Sequence, residues 1–231
     1  MKSRIEPIAE DIYRISVYPS ESFSFNHFLI VDKSPVFIHM GRPEWFETLT
    51  KLVSEVIDPA SIKYLTFSHF EADECSNLNR WLHIAKNAEV LVGKTGKASI
   101  EDFSSKPPRL FEDFETFDLG TKRLIALETP HCPHNWDACM FFEEITGTLF
   151  SSDLGANQCT SDLFFEGDSF IEQVILFEKN VGFMSKGKPL RQASKKISQM
   201  NPKILAIQHG AITRGVTIQR LLSRLIDEFC D

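Results

Sequence analysis

Short apolar runs alternate with amphipathic stretches along this chain, and the period of each run predicts an element. "IYRISVYP" and "FNHFLIVDKSPVFIHMG" carry strand-length runs of β-branched and aromatic residues, the second turning back on itself from Asp32 to Pro35. "PEWFETLTKLVSEVI" places apolar residues at helical spacing, with Pro43 near its start, where a missing N–H is tolerated. "IKYLTFS" reads as a short buried strand, "ECSNLNRWLHIAK" as a helix, "AEVLVG" as a strand and "KASIEDF" as a short helix. After the proline-marked loop "SSKPPRL" come four more strands: "FETFDLG", "KRLIALETP", "WDACMFFEE" and "GTLFSSD". Helices are predicted over about 168–183 and 189–199, "PKILAIQHG" is the last predicted strand, and "VTIQRLLSRLIDEFC" the closing helix. No linker or low-complexity segment interrupts this order. Strands first, then strand–helix alternation, then the same again, predict a two-sheet α/β sandwich with helices outside. A length of 231 residues suits one domain over 1–231.

Composition narrows the partners. Hydrophobic residues make up 42% of the chain, ample for a core, and 20 of them are Phe. A net charge of −7 without a compensating basic cluster argues against nucleic acid or an anionic membrane surface as partner. Cys75, Cys132, Cys139, Cys159 and Cys230 are irregularly spaced and form no CxxC pair, so neither a zinc ribbon nor a disulfide framework is indicated. The amino terminus, "MKSRIEPIAEDIY", has acids and a proline where a signal peptide needs an apolar stretch, and no apolar run approaches the roughly 20 residues of a membrane span. The expectation is a cytoplasmic protein.

The chemistry is concentrated at strand ends. "TFSHFEADE", "TLFSSD" and "ILAIQHG" each finish an apolar strand with metal-capable residues, and "TPHCPHNWD" lies in a loop between strands. The candidates are His69, Glu71, Asp73, Glu74, His134, Asp153 and His209, with His131 as the alternative to His134. That is too many ligands for one ion and about right for two that share a carboxylate. Imidazoles mixed with several carboxylates make a hard, anionic site. So much negative charge favours ions that reach the trivalent state, hence iron, although zinc or manganese also fits such a donor set.

These blocks together resemble the metallo-β-lactamase superfamily, in particular its oxygen-binding di-iron branch and the metal domain of flavodiiron proteins. The superfamily's hydrolytic members carry H-x-H-x-D-H, whereas the di-iron branch carries H-x-E-x-D, matched by His69, Glu71 and Asp73. In the branch a histidine precedes the aspartate of "LFSxD" by 19 residues, as His134 precedes Asp153, and the final "HG" is matched by His209 and Gly210. The resemblance implies an αββα sandwich, two central mixed β-sheets flanked by helices. It implies one iron held by His69, Glu71 and His134, another by Asp73 and His209, and Asp153 bridging ions roughly 3.5–4 Å apart. Three positions depart from the pattern. Glu74 stands where a histidine usually follows the motif aspartate. His39 ends the early hairpin in place of an aspartate. "HCPH" offers two histidines: a shorter "HxPxN" pattern in the branch chooses His131, whereas the 19-residue spacing chooses His134, the reading favoured here. The histidine that is not a ligand is expected to hydrogen-bond behind one.

Other features read as structure. His83 belongs to a solvated helix face, and His27 to packing or a pocket wall. "VGKTGK" lacks the first glycine of a phosphate loop and reads as a strand end and turn. Cys75 adjoins the site and is a candidate for redox sensitivity; the phenylalanines of "DLFFEGD" are candidates to wall the cleft.

Two functions compete. In the first, two irons bind or reduce dioxygen or a similar diatomic gas. Flavodiiron enzymes carry a flavodoxin-like module after the metal domain, so no FMN is expected in this chain. An external electron donor or a signalling partner is then implied, sensing being the alternative to turnover, and a homodimer is allowed for. In the second, the metals activate a bridging water in a hydrolase such as a phosphodiesterase, with Asp73 or Glu74 as proton acceptor, His39 orienting the substrate and Arg214 contacting its anion. A closed, Phe-lined pocket would favour the gas; a cleft with basic residues would favour hydrolysis.

Overall fold

The longest apolar runs become strands because they are buried on both faces. In the computed structural model, which describes residues 2–230, one sheet takes its strands in chain order. They are β1 (Lys2–Ala9), β2 (Ile12–Ser20), β3 (Phe23–Ile30), β4 (Val36–Ile38), β5 (Tyr64–Thr66), β6 (Glu89–Val92) and β7 (Arg109–Leu110). The first four pair antiparallel, and β4 to β7 pair parallel. The second sheet contains β8 (Thr116–Asp118), β9 (Arg123–Glu128), β10 (Cys139–Glu143), β11 (Thr148–Phe150), β12 (Ile204–Ala206) and β13 (Thr213–Arg214), side by side in chain order. There only β11 and β12 are parallel among the described pairs.

Successive strand residues face opposite ways, and here both ways lead to apolar layers. Phe141 of β10 and Phe150 of β11 enter the layer between the sheets with Phe28, Ile38, Leu91 and Ala206. Met140, Phe142 and Leu149, their neighbours, point outward beneath helices α5 (Asp168–Val181), α6 (Lys188–Met200) and α7 (Val216–Phe229). On the opposite side, α1 (Phe46–Ser54), α3 (Leu78–Ile84) and α4 (Lys94–Ile100) cover the first sheet through Leu49, Trp81 and Ile100. Burying each such large side chain contributes about 1.5–3 kcal/mol. The α5 stripe Phe170, Ile171, Val174, Ile175 follows helical spacing, and left-handed Gly182 ends that helix. The architecture is the α/β sandwich expected, two mixed sheets flanked by helices.

Three local expectations are corrected. The amino-terminal segment forms β1, an edge strand whose pairing shifts between Pro7 and Ala9; an edge tolerates the proline that masked it in the sequence. "PKILAIQHG" is not the last strand, because β13 pairs with β12 after the His209 turn. After "VG", helix α4 begins at Lys94, earlier than "KASIEDF" suggests, with Gly96 packed on Val92. Among the described residues no helix is long and apolar enough to cross a membrane.

The sheets are tied together where their polar loops meet. The Cys139 N–H donates to the Ser68 carbonyl at 2.8 Å, and the Asn26 N–H to the Gln208 carbonyl at 2.7 Å. The loops after β5, β11 and β12 therefore converge on one rim.

Candidate metal centre

The loop after β5 supplies the first group. His69 follows the strand and is buried. Glu71 precedes the one-turn helix α2 (Ala72–Cys75) in extended backbone, and its carboxylate makes no capping bond. It turns to His69 instead, with Oε2 2.7 Å from His69 Nε2 and 3.5 Å from His134 Nε2. Asp153, from the loop after β11, places Oδ2 2.9 Å from His134 Nε2 and 3.7 Å from His69 Nε2. One donor atom from each of His69, Glu71, His134 and Asp153 lies within 4.8 Å of the others. Donors about 2.1 Å from one first-row ion stand roughly 3–4 Å apart, so this set is of the right size.

The other Asp153 oxygen faces a second group. His209 Nε2 is 3.1 Å from Asp153 Oδ1 and 3.6 Å from Asp73 Oδ2. Asp73, in the single turn of α2, also receives a hydrogen bond from Gln208 Nε2 at 3.2 Å. Asp153 thus stands between two sets of donors with one oxygen toward each.

All three histidines present Nε2 to the cluster because Nδ1 is occupied elsewhere. His209 Nδ1 donates to the Ser24 carbonyl at 3.2 Å, and His134 Nδ1 to Asn135 Oδ1 at 3.1 Å. His69 Nδ1 meets Ser152 Oγ at 3.2 Å and Glu74 Oε1 at 3.3 Å. Such outer partners fix the tautomer that a metal ligand needs. The His209 turn is itself clamped: Asn26 Nδ2 donates to the Ile207 and Gly210 carbonyls, and Asn157 Oδ1 accepts from the Ala211 N–H.

Charge prepares the site for cations. Burial disfavours a charged His69, yet Glu74, Glu71 and Asp153 prevail and raise its pKa to about 10. Against the same burial, Asp153 raises His134 and His209 above the usual imidazole range. Burial alone would raise Asp153, but His209, His134 and His69 hold it well below the usual carboxylate range. Asp153 Oδ1 is a buried oxygen without a hydrogen-bond partner among the described residues. Three imidazole nitrogens and three carboxylates, one of them carrying that orphaned oxygen, form a donor set that fits two hard or borderline cations.

The cluster forms the floor of a cavity of about 210 Å³ lined by Phe23, Phe177, Val181 and Phe183 above Glu71, His134, Asp153 and His209. Phe23 stacks on His209 with ring centroids 4.9 Å apart, and Phe183 meets His134 edge-on at 5.3 Å. These walls replace the expected ones: Phe164 lies under Arg214 and Phe165 in the helix layer.

Of the seven predicted ligands, six are brought together: His69, Glu71, Asp73, His134, Asp153 and His209. Glu74 is not. It is fully buried behind His69, away from the cavity. His39 is also fully buried, its Nε2 2.8 Å from Ser68 Oγ, so it cannot orient a substrate in the cavity. His131 is exposed and outside the cluster, whereas His134 lies within it. Cys75 is buried, its thiol donating to the Glu71 carbonyl and pushed well up by burial. Arg214 pairs with Glu166 at 2.9 Å and does not line the cavity. Sequence reasoning missed Ser24, Asn135, Ser152 and Gln208. The last three directly precede or follow a predicted ligand, which was the available signal.

Residues 23–210 match the family described as ODP family beta lactamase. The chain belongs to this family. It is similar to the flavo-diiron protein FprA2 of Clostridium acetobutylicum, 25% identical over 173 residues, 73% of this chain and 42% of that protein. An anaerobic nitric oxide reductase flavorubredoxin homolog of Escherichia coli O157:H7 is 27% identical over 163 residues, 68% of this chain and 38% of that protein. Among solved structures, rubredoxin oxygen:oxidoreductase from Desulfovibrio gigas superposes with a TM-score of 0.86 at 17% identity, covering 97% of this chain and 61% of that one. That likeness is one of fold. The chain spans less than half the length of the two relatives matched by sequence. Within the ODP family, it resembles the metallo-β-lactamase-like di-iron domain of flavodiiron proteins.

Proposed function

We propose that the chain holds two iron ions, one at His69, Glu71 and His134 and one at Asp73 and His209, with Asp153 shared. We propose further that it binds or reduces a diatomic gas there, dioxygen or nitric oxide. The observation that carries this reading is the placement of Asp153, one carboxylate oxygen toward each set, beneath a phenylalanine-walled cavity. Two redox-active ions would supply electrons to a small molecule bound beside them. The residues of the chain define what can approach. A cavity of about 210 Å³ is smaller than the roughly 300–1,000 Å³ of drug-sized ligand sites, and its upper wall is apolar. Carboxylates from Glu71, Asp73 and Asp153 favour the higher charge state of iron.

The relatives' names support the gas: one is an oxygen:oxidoreductase and another a nitric oxide reductase homolog. The reading includes an external electron donor and one metallo-β-lactamase-like domain over 1–231, supported by the apolar layer that both sheets share. Hydrolysis has less support, since His39 and Glu74 are buried and Arg214 is paired elsewhere.

The test is anaerobic purification from iron-replete cells, metal quantitation, and optical spectra before and after oxygen or nitric oxide is admitted. About two irons per chain and a spectral change with either gas are expected. Two zinc ions, or iron silent to both gases in a chain that cleaves a phosphodiester, would overturn the reading.

A further inference from the structure

The departure at Glu74 has a structural sense of its own. Its side chain is buried and both oxygens are engaged. Oε2 accepts the Ser68 N–H at 2.6 Å and the His69 N–H at 3.0 Å. Oε1 accepts the Ser152 hydroxyl at 3.2 Å and lies 3.3 Å from His69 Nδ1 and 3.5 Å from His39 Nε2. A carboxylate offers about four lone-pair directions; two backbone N–H groups and one hydroxyl fill three of them here, and His69 Nδ1 stands beside the same carboxylate. The two nitrogens of an imidazole also point away from each other, so a group bonded at Nδ1 lies on the side opposite anything bound at Nε2. The Glu74 carbonyl, meanwhile, accepts the Met40 N–H at 2.6 Å, fixing the whole residue in the interior.

We infer that Glu74 is a positioning residue and not a metal ligand: it clamps the Ser68–His69 turn and orients the His69 ring from behind, leaving the ion beside Asp73 and His209 with three protein side chains. The inference rests on the two-metal reading above. It makes the two positions unequal. His69, Glu71, His134 and Asp153 serve one; Asp73, His209 and Asp153 serve the other. Ser152, which follows β11 and touches both Glu74 and His69, belongs to the same clamp. His39 completes it through Ser68.

The experiment compares the wild-type chain with Glu74→Gln, which keeps the shape and removes the charge. Each is loaded anaerobically with ferrous iron, and the two binding steps are followed by chelator competition and by Mössbauer spectra of the iron. A His209→Ala chain identifies the step that belongs to its side. Glu74→Gln is expected to keep two irons, with the His69 step weakened by about 10–100-fold and the His209 step and its spectrum unchanged. Loss of the His209-side iron with the His69 step intact would overturn the inference, because Glu74 would then be a ligand there. Should Glu74→Gln not fold, Ser152→Ala serves: weakening confined to the His69 step supports the clamp, and unchanged affinities overturn it. A wild-type chain that takes fewer than two irons overturns the two-metal reading itself, a result seen before any variant is compared.

Discussion

Asp153→Ala is expected to strip the chain of both metal ions while leaving it folded. Asp153 is the one side chain that faces both donor sets, Oδ2 toward His134 and His69 and Oδ1 toward His209. Its removal deprives each ion of a charged ligand. Loss of an outer hydrogen-bond partner typically costs 10–100-fold in metal affinity, and loss of a shared ligand exceeds that at both positions. His134 and His209 also lose the anion that holds their protons, so their pKa values fall toward the ordinary range. Metal content after gel filtration, with a circular dichroism spectrum to verify the fold, checks the prediction. Asp153→Asn should act in the same direction, separating charge from volume. Retention of one ion at full affinity by Asp153→Ala would mean that the carboxylate is not shared.

Gly210→Ala is expected to damage both the fold and the His209 side. Gly210 has φ +87°, and a Cβ there would stand 2.3 Å from the Asn157 carbonyl oxygen and 2.3 Å from Asn157 Oδ1. The left-handed conformation alone costs roughly 1–2 kcal/mol for an L residue. Overlap with backbone must then be relieved by moving Asn157, whose amide binds the Ala211 N–H and the Gly155 and Ala211 carbonyls. A total of about 3 kcal/mol is consistent with strain at a special backbone position. For a chain of this length it corresponds to a fall in Tm of roughly 6–12 °C. His209 is the preceding residue, so metal content should drop toward one ion per chain. An unchanged melting temperature would show that the turn relaxes freely.

The donors were legible in sequence where they are neighbours in the chain. His69 and Glu71 lie two residues apart in one loop, Asp73 follows two residues on in the turn of α2, and His134 and Asp153 keep a spacing that a loop and a hairpin set. The direction of Glu74 was not legible. It follows Asp73 in the single turn of α2, and a helical step of about 100° separates a side chain facing Gln208 and His209 from one facing the interior. The cavity walls were equally hidden: Phe23 comes from β3, Phe177 from α5 and Phe183 from the turn after it, and only tertiary packing joins them. Helices over 168–181 and 188–200 were readable because their apolar stripes repeat at helical spacing. β1 was masked by Pro7 and its charges, and β13 is two residues long.

The central claim is that two metals share Asp153, and the most direct measurement is anomalous diffraction at the iron edge from crystals of the iron-loaded chain. Two peaks roughly 3.5–4 Å apart are predicted. One should lie among His69, Glu71 and His134, the other beside Asp73 and His209, with Asp153 between them. A single peak, or a pair of peaks away from Asp153, would contradict the account.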